Sequence, residues 1–139
     1  MTRYLLDTAI VSDLIRHPQG RVAKHIADVG ENLVCTSIIV AAELRYGAAK
    51  KGSARLTAQL ESVLGALEIL PFEAPAEISY GDLRARLEAL DKPIGGNDIL
   101  IAAHAISLGC AIVTDNVAEF ARIEGISLEN WLRPEAEAQ

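Results

Sequence analysis

The sequence predicts an α/β fold, a three-layer α/β/α sandwich around a mainly parallel central sheet. Short apolar runs typical of buried strands alternate with longer stretches of helical spacing along the chain. Strands that alternate with helices pair in parallel, because each helix carries the chain back across the sheet. With 139 residues the chain has the size of one domain. We assign this domain to residues 1–133 and expect a flexible tail at 134–139.

Each element follows from its residue pattern. The strands are short runs rich in aliphatic residues, whereas the helices repeat apolar residues every three or four positions. Glycine and proline mark the breaks, and Ser37 suits the N-cap of the third helix. In chain order we predict strands over 3–7, 32–36, 68–72 and 110–114, and helices over 9–15, 21–29, 37 to 47 or 51, 53–67, 74–90 and 97–108. Residues 116–132 should hold a helical turn and one last strand, with Phe120 and Trp131 packed on the core.

The composition excludes several classes of protein. Half of the residues are hydrophobic and 23% are charged, which excludes a disordered chain. No apolar run approaches the roughly 20 residues that span a bilayer, and Asp7 interrupts the N-terminus too early for a signal peptide. Two cysteines and three scattered histidines can form neither a disulfide framework nor a zinc site. We therefore expect a cytoplasmic protein with no membrane partner.

The charge balance bears on nucleic-acid binding. The chain has 13 basic and 19 acidic residues, a net charge of -6. A nucleic-acid binder normally presents a basic surface, so this balance argues against one. The argument weakens if some of the carboxylates hold metal ions, because bound cations invert the local field.

Four acidic residues occupy positions where an α/β fold forms its sites. Asp7 and Asp115 each follow an apolar strand, and Asp98 opens the apolar helix behind the Gly95–Gly96 loop. Glu43 lies within a helix, among apolar neighbours and without a basic partner four residues away. Asp98 could instead serve only the helix dipole, and Glu43 could lie on a solvated helix face. In an open parallel sheet, however, sites form beyond the carboxyl ends of the strands.

Four carboxylates at one edge of a sheet indicate a particular chemistry. At about 5 Å and an effective dielectric constant of about 20, each like-charged pair costs roughly 3 kcal/mol, so protons or cations must compensate the cluster. Oxygen ligands without histidine or cysteine favour Mg²⁺ or Mn²⁺. Such ions lower the pKa of a bound water and neutralise charge on a phosphorus centre, as phosphodiester hydrolysis requires.

The sequence also resembles a known family. The segments LLDTAIVSDLI, SIIVAAELRYGAAK, GGNDILIAAHAISLG and AIVTDNVAEFARIEGISLENW, in this order, are similar to PIN-domain ribonucleases, and more narrowly to the VapC toxins of type II toxin–antitoxin systems. The resemblance covers nearly the whole chain. It implies that Asp7, Glu43, Asp98 and Asp115 are the catalytic, metal-binding acids. One departure is Ala9, which stands where the family most often has asparagine.

The resemblance carries further expectations about activity and partners. It implies a Mg²⁺- or Mn²⁺-dependent endoribonuclease that cuts tRNA or rRNA and so inhibits translation. A VapB-type antitoxin would inhibit it, and the complex would bind operator DNA through the antitoxin. A homodimer is usual in the family, and the apolar helices over 37–51 and 53–67 are candidates for its interface.

Neighbours of the four acids are candidates for supporting roles. Hydroxyl and amide side chains next to the acids could orient them or a water, or could be ordinary caps: Thr8, Asn97, Thr114 and Asn116. Arginines on the helices could contact RNA phosphates or form surface salt bridges: Arg45, Arg84 and Arg86. Glu119 could reach a second metal ion or lie on a solvated turn.

Two alternatives remain open at this stage. An aspartyl-phosphate phosphatase also begins with an apolar strand ending in aspartate, but its second acid is absent because Ala9 occupies that position. A catalytically degenerate PIN module would bind an antitoxin or RNA without cutting, and Ala9 is the feature in its favour.

Overall fold

The computed structural model describes residues 2–133, which contain a five-stranded parallel sheet. The strands are β1 (Tyr4–Leu6), β2 (Val34–Ser37), β3 (Glu68–Leu70), β4 (Ala111–Val113) and β5 (Leu128–Glu129). Their order across the sheet is β3-β2-β1-β4-β5, and every adjacent pair is parallel. Leu5 lies opposite both Cys35 and Ile112, so β1 is the central strand.

Helices connect the strands and cover both faces of the sheet. They are α1 (Thr8–Arg16), α2 (Arg21–Val29), α3 (Ile38–Lys51), α4 (Ala54–Ala66), α5 (Ala76–Ala89), α6 (Gly96–Leu108) and α7 (Val117–Phe120). Helices α1 to α4 accompany the chain from β1 outward to β3, whereas α5 and α6 bring it back past β1 to β4. Because such parallel crossovers are right-handed, the two groups of helices cover opposite faces. The predicted α/β/α sandwich is confirmed.

The predicted element boundaries agree with the structure to within two residues, and the differences have local causes. The second strand was predicted from residue 32, but residues Glu31–Leu33 form a 3-10 turn and the strand begins at Val34. Gly30, at φ 98°, lies just before this turn. The third strand stops at Leu70, because Pro71 has no N–H to donate to a neighbouring strand.

Ser37 connects the end of β2 to the start of α3. As predicted, it is the N-cap, and its hydroxyl oxygen accepts the N–H of Ile39 at 3.0 Å. The same hydroxyl lies 2.8 Å from Nδ1 of the buried His104 on α6. The cap therefore fixes both the direction in which α3 leaves the sheet and the position of α3 relative to α6.

Aromatic residues attach the C-terminal segment to the core. Phe120 and Trp131 are buried, as expected from the sequence. The Trp131 ring stacks on His25 of α2 with centroids 5.1 Å apart and contacts Tyr4 of β1 at 5.3 Å. The chain after β5 is thereby held against the first strand and the second helix.

Two other expectations concern the limits of the domain. No helix within residues 2–133 is long and apolar enough to cross a membrane. The tail expected at 134–139 lies outside the described residues, and the domain limit at 133 stays a prediction.

Replacing Trp131 should destabilise the whole domain. Trp131→Ala removes a buried ring, and we expect it to lower the free energy of unfolding by about 3–5 kcal/mol. Trp131→Phe keeps most of the apolar contact and should cost markedly less. Urea denaturation followed by circular dichroism measures both values; an Ala variant as stable as the wild type would contradict the described packing.

Candidate active site at the carboxyl edge of the sheet

The strand order places a crevice between β1 and β4. From β1 the chain first builds outward to β2 and β3 and later returns to add β4 and β5 on the other side. Ligands of open parallel sheets bind at such a reversal, beyond the carboxyl ends of the strands. Asp7 follows β1 directly, while Thr114 separates Asp115 from β4. The Asp7 N–H donates to the carbonyl oxygen of Val113 at 3.0 Å, which joins the two strand ends.

Asp7 is a buried carboxyl at the start of α1. It is 5% exposed, and Oδ1 accepts the N–H of Ile10 at 3.1 Å as the N-cap of the helix. Burial raises its pKa to about 6, and repulsion from Asp115 and Glu43 acts in the same direction. Hydrogen bonds from Thr114 and Ile10 oppose this rise. Thus Asp7 is held where its negative charge is disfavoured.

Glu43 connects three helices. It is half-buried on α3, and the hydroxyl of Thr8 on α1 donates to its Oε1 at 2.5 Å. On the other side, Asn97 Nδ2 on α6 donates to its Oε2 at 3.1 Å. Both oxygens are therefore oriented by neutral donors, which leave the negative charge in place. Thr8 and Asn97, expected to support the acids, both contact Glu43.

Asp98 and Glu119 form a carboxyl pair. Burial first, and then the charges of Glu119, Asp7 and Glu43, together raise the pKa of Asp98 to about 6. Glu119 lies on α7 and accepts the N–H of Gly95 at 2.8 Å, which lowers its pKa. A hydrogen bond between the two carboxyl groups acts in opposite directions on them, raising the pKa of Asp98 and lowering that of Glu119. Without a cation, a proton on Asp98 relieves this repulsion.

Asp115 differs from the other predicted ligands because it has a cationic partner. It is exposed, and its Oδ1 accepts from Asn130 Nδ2 at 2.9 Å and from Arg133 Nε at 3.2 Å. These two donors lower its pKa. Its charge still contributes to the raised pKa of Asp7. The structure therefore places Asp115 at the carboxyl edge of the sheet, with its carboxylate bound by Asn130 and Arg133 of the C-terminal segment.

The supporting residues beside β4 also lie within the site. The hydroxyl of Thr114 stabilises the ionised form of Asp7 and accepts the N–H of Asn116 at 2.9 Å. Asn116 Nδ2 in turn donates to Glu119 Oε2 at 2.5 Å. These two residues connect Asp7 to Glu119 through hydrogen bonds.

The three predicted arginines do not contact the acids in the described part of the chain. Arg45 is exposed on α3 and pairs with Glu61 on α4. Arg84 bonds Glu88 at 3.0 Å on its own helix. Arg86 lines a groove near Ile106, which is eight residues after Asp98 and so about 12 Å along α6. Contact between these arginines and RNA stays a prediction.

Glu119 is the site residue that sequence reasoning did not commit to. Its spacing from Asp115 favoured a solvated turn over a second metal site, because the position of the four-residue helix α7 depends on tertiary contacts. Those contacts join α7 to the loop before α6: Glu119 accepts from Gly95, and Arg122 donates to the carbonyl oxygen of Pro93 at 2.6 Å. The available signal was the placement of a second acid one helical turn after a strand-end aspartate.

The donor set fits a hard divalent cation. No three histidine, cysteine or acidic side chains of residues 2–133 stand together in an arrangement that would hold one ion. Mg²⁺, however, usually keeps several waters and takes only one or two carboxylates together with substrate phosphate oxygens. Asp7, Glu43 and Asp98 supply oxygen ligands, and their mutual repulsion would be relieved by a cation. Chemically, the site therefore suits a hydrated divalent ion.

Comparison with known proteins agrees with this geometry. The PIN domain family model matches residues 4–126. Ribonuclease VapC2 of Rickettsia felis is 41% identical over 130 residues, covering 92% of this chain and 97% of the relative. The tRNA(fMet)-specific endonuclease VapC of Salmonella typhimurium is 35% identical, covering 94% of this chain and 99% of the relative. A PIN-type nuclease is thus the class of protein that the fold and the site define.

Solved structures give the same result at the level of the backbone. The crystal structure of VapBC2 from Rickettsia felis bound to a promoter DNA fragment matches with a TM-score of 0.86 and 37% identity, covering 94% of this chain and 99% of that one. DNA-bound VapBC from Salmonella typhimurium matches with a TM-score of 0.83 and 35% identity, covering 94% and 99%. The chain belongs to the VapC ribonucleases of the PIN-domain family. The sequence resemblance is confirmed.

The raised pKa of Asp7 predicts how stability depends on pH. Folded Asp7 keeps its proton up to a pH of about 6, whereas the ordinary value is 3.8. The folded state therefore binds more protons in this window, and the free energy of unfolding falls as the pH rises through it. Asp7→Asn keeps the N-cap acceptor but has no charge. In metal-free buffer we expect this variant to exceed the wild type in stability by up to about 3 kcal/mol at pH 7, since the pKa of Asp7 is raised from 3.8 to about 6 and each pH unit corresponds to about 1.36 kcal/mol.

Urea denaturation at pH 7 and near pH 4 measures this effect. The advantage of Asp7→Asn should shrink at the lower pH, because Asp7 of the wild type is then neutral in the folded state. Asp82→Asn, on the exposed surface of α5, is the matched control and should change little at either pH. Equal stability of the wild type and Asp7→Asn at pH 7 would contradict the conclusion that the negative charge of buried Asp7 destabilises the folded state.

Proposed function

We propose that this protein is the toxin of a type II toxin–antitoxin pair and that it hydrolyses RNA phosphodiester bonds endonucleolytically with a divalent metal ion. The observation that carries the proposal is the group of carboxyls Asp7, Glu43, Asp98 and Glu119 at the strand-order reversal. None of them has an ion-pair partner among residues 2–133. Such a group suits Mg²⁺ or Mn²⁺ and a phosphate, and family membership supports RNA as the polymer that is cut.

The acids have distinct roles in this proposal. Asp7, Glu43, Asp98 and Asp115 are the proposed catalytic, metal-binding acids. One or two of them would bind a hydrated ion directly, and the others would act on it through its waters. When bound, the ion lowers the pKa of a water and neutralises charge on the phosphate under attack. Asp7 is the most rigid ligand, since it is buried and fixed by Ile10.

Neighbouring side chains keep these acids oriented. Thr8 and Asn97 orient the two oxygens of Glu43, whereas Thr114 acts on Asp7. Asn116 donates a hydrogen bond to Glu119 and so orients the carboxyl group that is hydrogen-bonded to Asp98. Donors that fix a ligand's orientation typically change metal affinity or activity by about 10–100-fold when they are removed.

The substrate we propose is tRNA or an rRNA loop, so that cleavage inhibits translation. The Salmonella typhimurium relative is named for cleavage of tRNA(fMet), which supports a tRNA. With a net charge of -6 the protein repels RNA at long range. Binding should therefore depend on the metal and on local contacts. Arg45, Arg84 and Arg86 are the arginines proposed for phosphates, and Arg45 first has to leave Glu61.

The proposed partners follow from the solved VapBC complexes. We propose a VapB-type antitoxin that covers the acidic site, and contact with operator DNA through the antitoxin, as the DNA-bound complexes support. A homodimer is part of the proposal, with α3 and α4 as the candidate interface. Cys35 and Cys110 are free thiols, which supports action in a reducing cytoplasm.

Removing one acid should abolish cleavage without unfolding the protein. We expect Asp98→Asn to slow cleavage of a total tRNA and rRNA pool at least 100-fold, because the site loses a charged ligand. Antitoxin-free protein would be assayed with Mn²⁺, Mg²⁺ or EDTA, and EDTA should abolish cleavage by the wild type. Mapping the fragment ends would identify the substrate.

Asp82→Asn is again the matched control and should cleave like the wild type. Cleavage that persists in Asp98→Asn, or in EDTA, would refute the proposed mechanism. A wild-type protein that neither cleaves nor binds Mn²⁺ in calorimetry would instead be the degenerate module that Ala9 left open.

Replacing Glu119 should weaken metal binding without abolishing cleavage, because Glu119 orients Asp98 through a hydrogen bond. Glu119→Gln keeps an oxygen for the Gly95 N–H but removes one charge. We expect Mn²⁺ affinity to fall about 10-fold, within the usual range for groups that orient a ligand, and cleavage to remain measurable. Calorimetry and a metal titration of cleavage measure this effect. Glu124→Gln, exposed on the following turn, should leave both unchanged; an unaltered Glu119→Gln would exclude Glu119 from the site.

A further inference from the structure

A cleft opens beside Glu43. It encloses about 540 Å³ between α1, α3 and α6. Thr8, Glu43 and Asn97 form its polar end. The remaining lining is mostly apolar: Ile39, Ala42, Tyr46 and Leu100. The cleft therefore joins the proposed catalytic acids to an apolar surface large enough for a flat ring.

Tyr46 is the unusual residue of this cleft. Its exposed fraction is 68%, higher than that of any other exposed large hydrophobic residue in the described part of the chain. Its hydroxyl has no hydrogen-bond partner within residues 2–133. The other two tyrosines are partly buried, with Tyr4 packed on Trp131 and Tyr80 bonded to Arg84. Neither packing nor hydrogen bonding within the fold thus explains the position of this ring.

The position of Tyr46 on α3 matches the dimensions of a nucleotide. It follows Glu43 by three residues, so the two side chains project from the same face, with Cβ atoms about 5–6 Å apart. A phosphate bound at the acids would have a neighbouring base about one helical turn away along α3. Ala42, on the same helix, is small and leaves the ring face accessible.

We propose that Tyr46 is a specificity-determining residue that stacks on one unpaired base of the RNA, next to the phosphate that is cut. This inference rests on the proposed function and deepens it, because it assigns recognition of a base to this cleft. The base lies between the phenol ring and the apolar wall formed by Ile39 and Leu100. Stacking on an aromatic ring tolerates different bases, so Tyr46 selects an unpaired nucleotide rather than a fixed sequence.

Two features favour an RNA base over a protein side chain as the occupant. First, the cleft is continuous with the acids, because Glu43 and Asn97 line it. A nucleotide whose phosphate reaches the acids can therefore place its base in this space. Second, the apolar part is short, since one tyrosine and three aliphatic residues line it. A single ring fills such a space better than a helix, which needs a longer apolar stripe.

The test measures RNA binding with Ca²⁺ in place of Mg²⁺, because Ca²⁺ also takes oxygen ligands and lets a phosphate bind at the acids. Single-stranded RNA dodecamers carrying one 2-aminopurine are titrated with the protein in Ca²⁺ buffer, and a denaturing gel verifies that they remain uncut. Their sequence surrounds the mapped cleavage site, or is randomised if no site maps. In the wild type, stacking of the Tyr46 ring on the 2-aminopurine should quench the fluorescence of the probe. Tyr46→Ala should lose the quenching and bind about 10-fold more weakly, whereas Tyr46→Phe and Tyr46→Trp keep a ring and should retain both.

Cleavage kinetics and a surface control complete the test. On the tRNA pool, Tyr46→Ala should raise KM about 10-fold with little change in kcat, because stacking binds substrate and transition state alike. Ile78→Ala removes another exposed hydrophobic residue, on α5, and should behave as wild type in both assays. Circular dichroism verifies the fold of each variant.

Each contrary outcome is distinct. Unchanged quenching, Kd and KM in Tyr46→Ala would overturn the proposal while leaving the nuclease intact. Loss of dimer in light scattering, or loss of antitoxin binding alone, would assign Tyr46 to a protein interface and would also overturn it. A wild type that cleaves no RNA but quenches the probe through Tyr46 would contradict the proposed function and retain the stacking site.

Discussion

Carboxylates that form no ion pair among residues 2–133 are the constraint on which the rest of this structure depends. Asp7, Glu43, Asp98 and Glu119 come together because a hydrophobic core fixes β1, β4, α3 and α6 in one arrangement. Burial of these carboxyls opposes folding and is the main cause of the raised pKa of Asp7 and Asp98, and repulsion between the acids adds to it. Burial of the aliphatic strands therefore has to offset this cost. The acids therefore reduce the stability of the fold, and their negative charge favours a bound cation. A bound cation in turn allows a phosphate to bind beside the acids.

The hydrogen bonds around the site explain how the acids can be ordered without being neutralised. Every hydrogen bond to these four acids among residues 2–133 comes from a neutral donor. Thr8 and Asn97 donate to Glu43, the N–H of Ile10 donates to Asp7, and the N–H of Gly95 donates to Glu119. A lysine or arginine in these places would orient the carboxylates equally well but would cancel the charge that attracts a cation. Asp115 shows the contrast, because Arg133 and Asn130 bind it and lower its pKa. The neutral donors thus fix the orientation of the acids, and the carboxylates themselves keep the negative charge that attracts a cation.

Much of the fold and part of the site could be predicted from the sequence. Alternating strand and helix patterns were enough for the parallel sandwich, and Asp7 and Asp115 were located because strand ends are visible as abrupt changes in polarity. Strand order was not predictable, since it depends on which helices cover which face. Glu119 was left undecided for a related reason: the bonds of Glu119 to Gly95 and of Arg122 to Pro93 join segments distant in sequence. Pairing of Arg45 with Glu61 likewise depends on how α3 packs on α4.

The attachment of α7 to the loop before α6 has a consequence for synthesis of the chain. Gly95 and Glu119 are 24 residues apart, so a nascent chain that has completed α6 still lacks one of the acids that border Asp98. The strand β4, with Thr114 and Asp115, must also be released from the ribosome before the crevice exists. Because synthesis runs from the N-terminus to the C-terminus, Asp7 is the first of these acids to be synthesised and Glu119 is the last. For a protein proposed to cut RNA, this order means that the complete site assembles only after most of the chain has been synthesised.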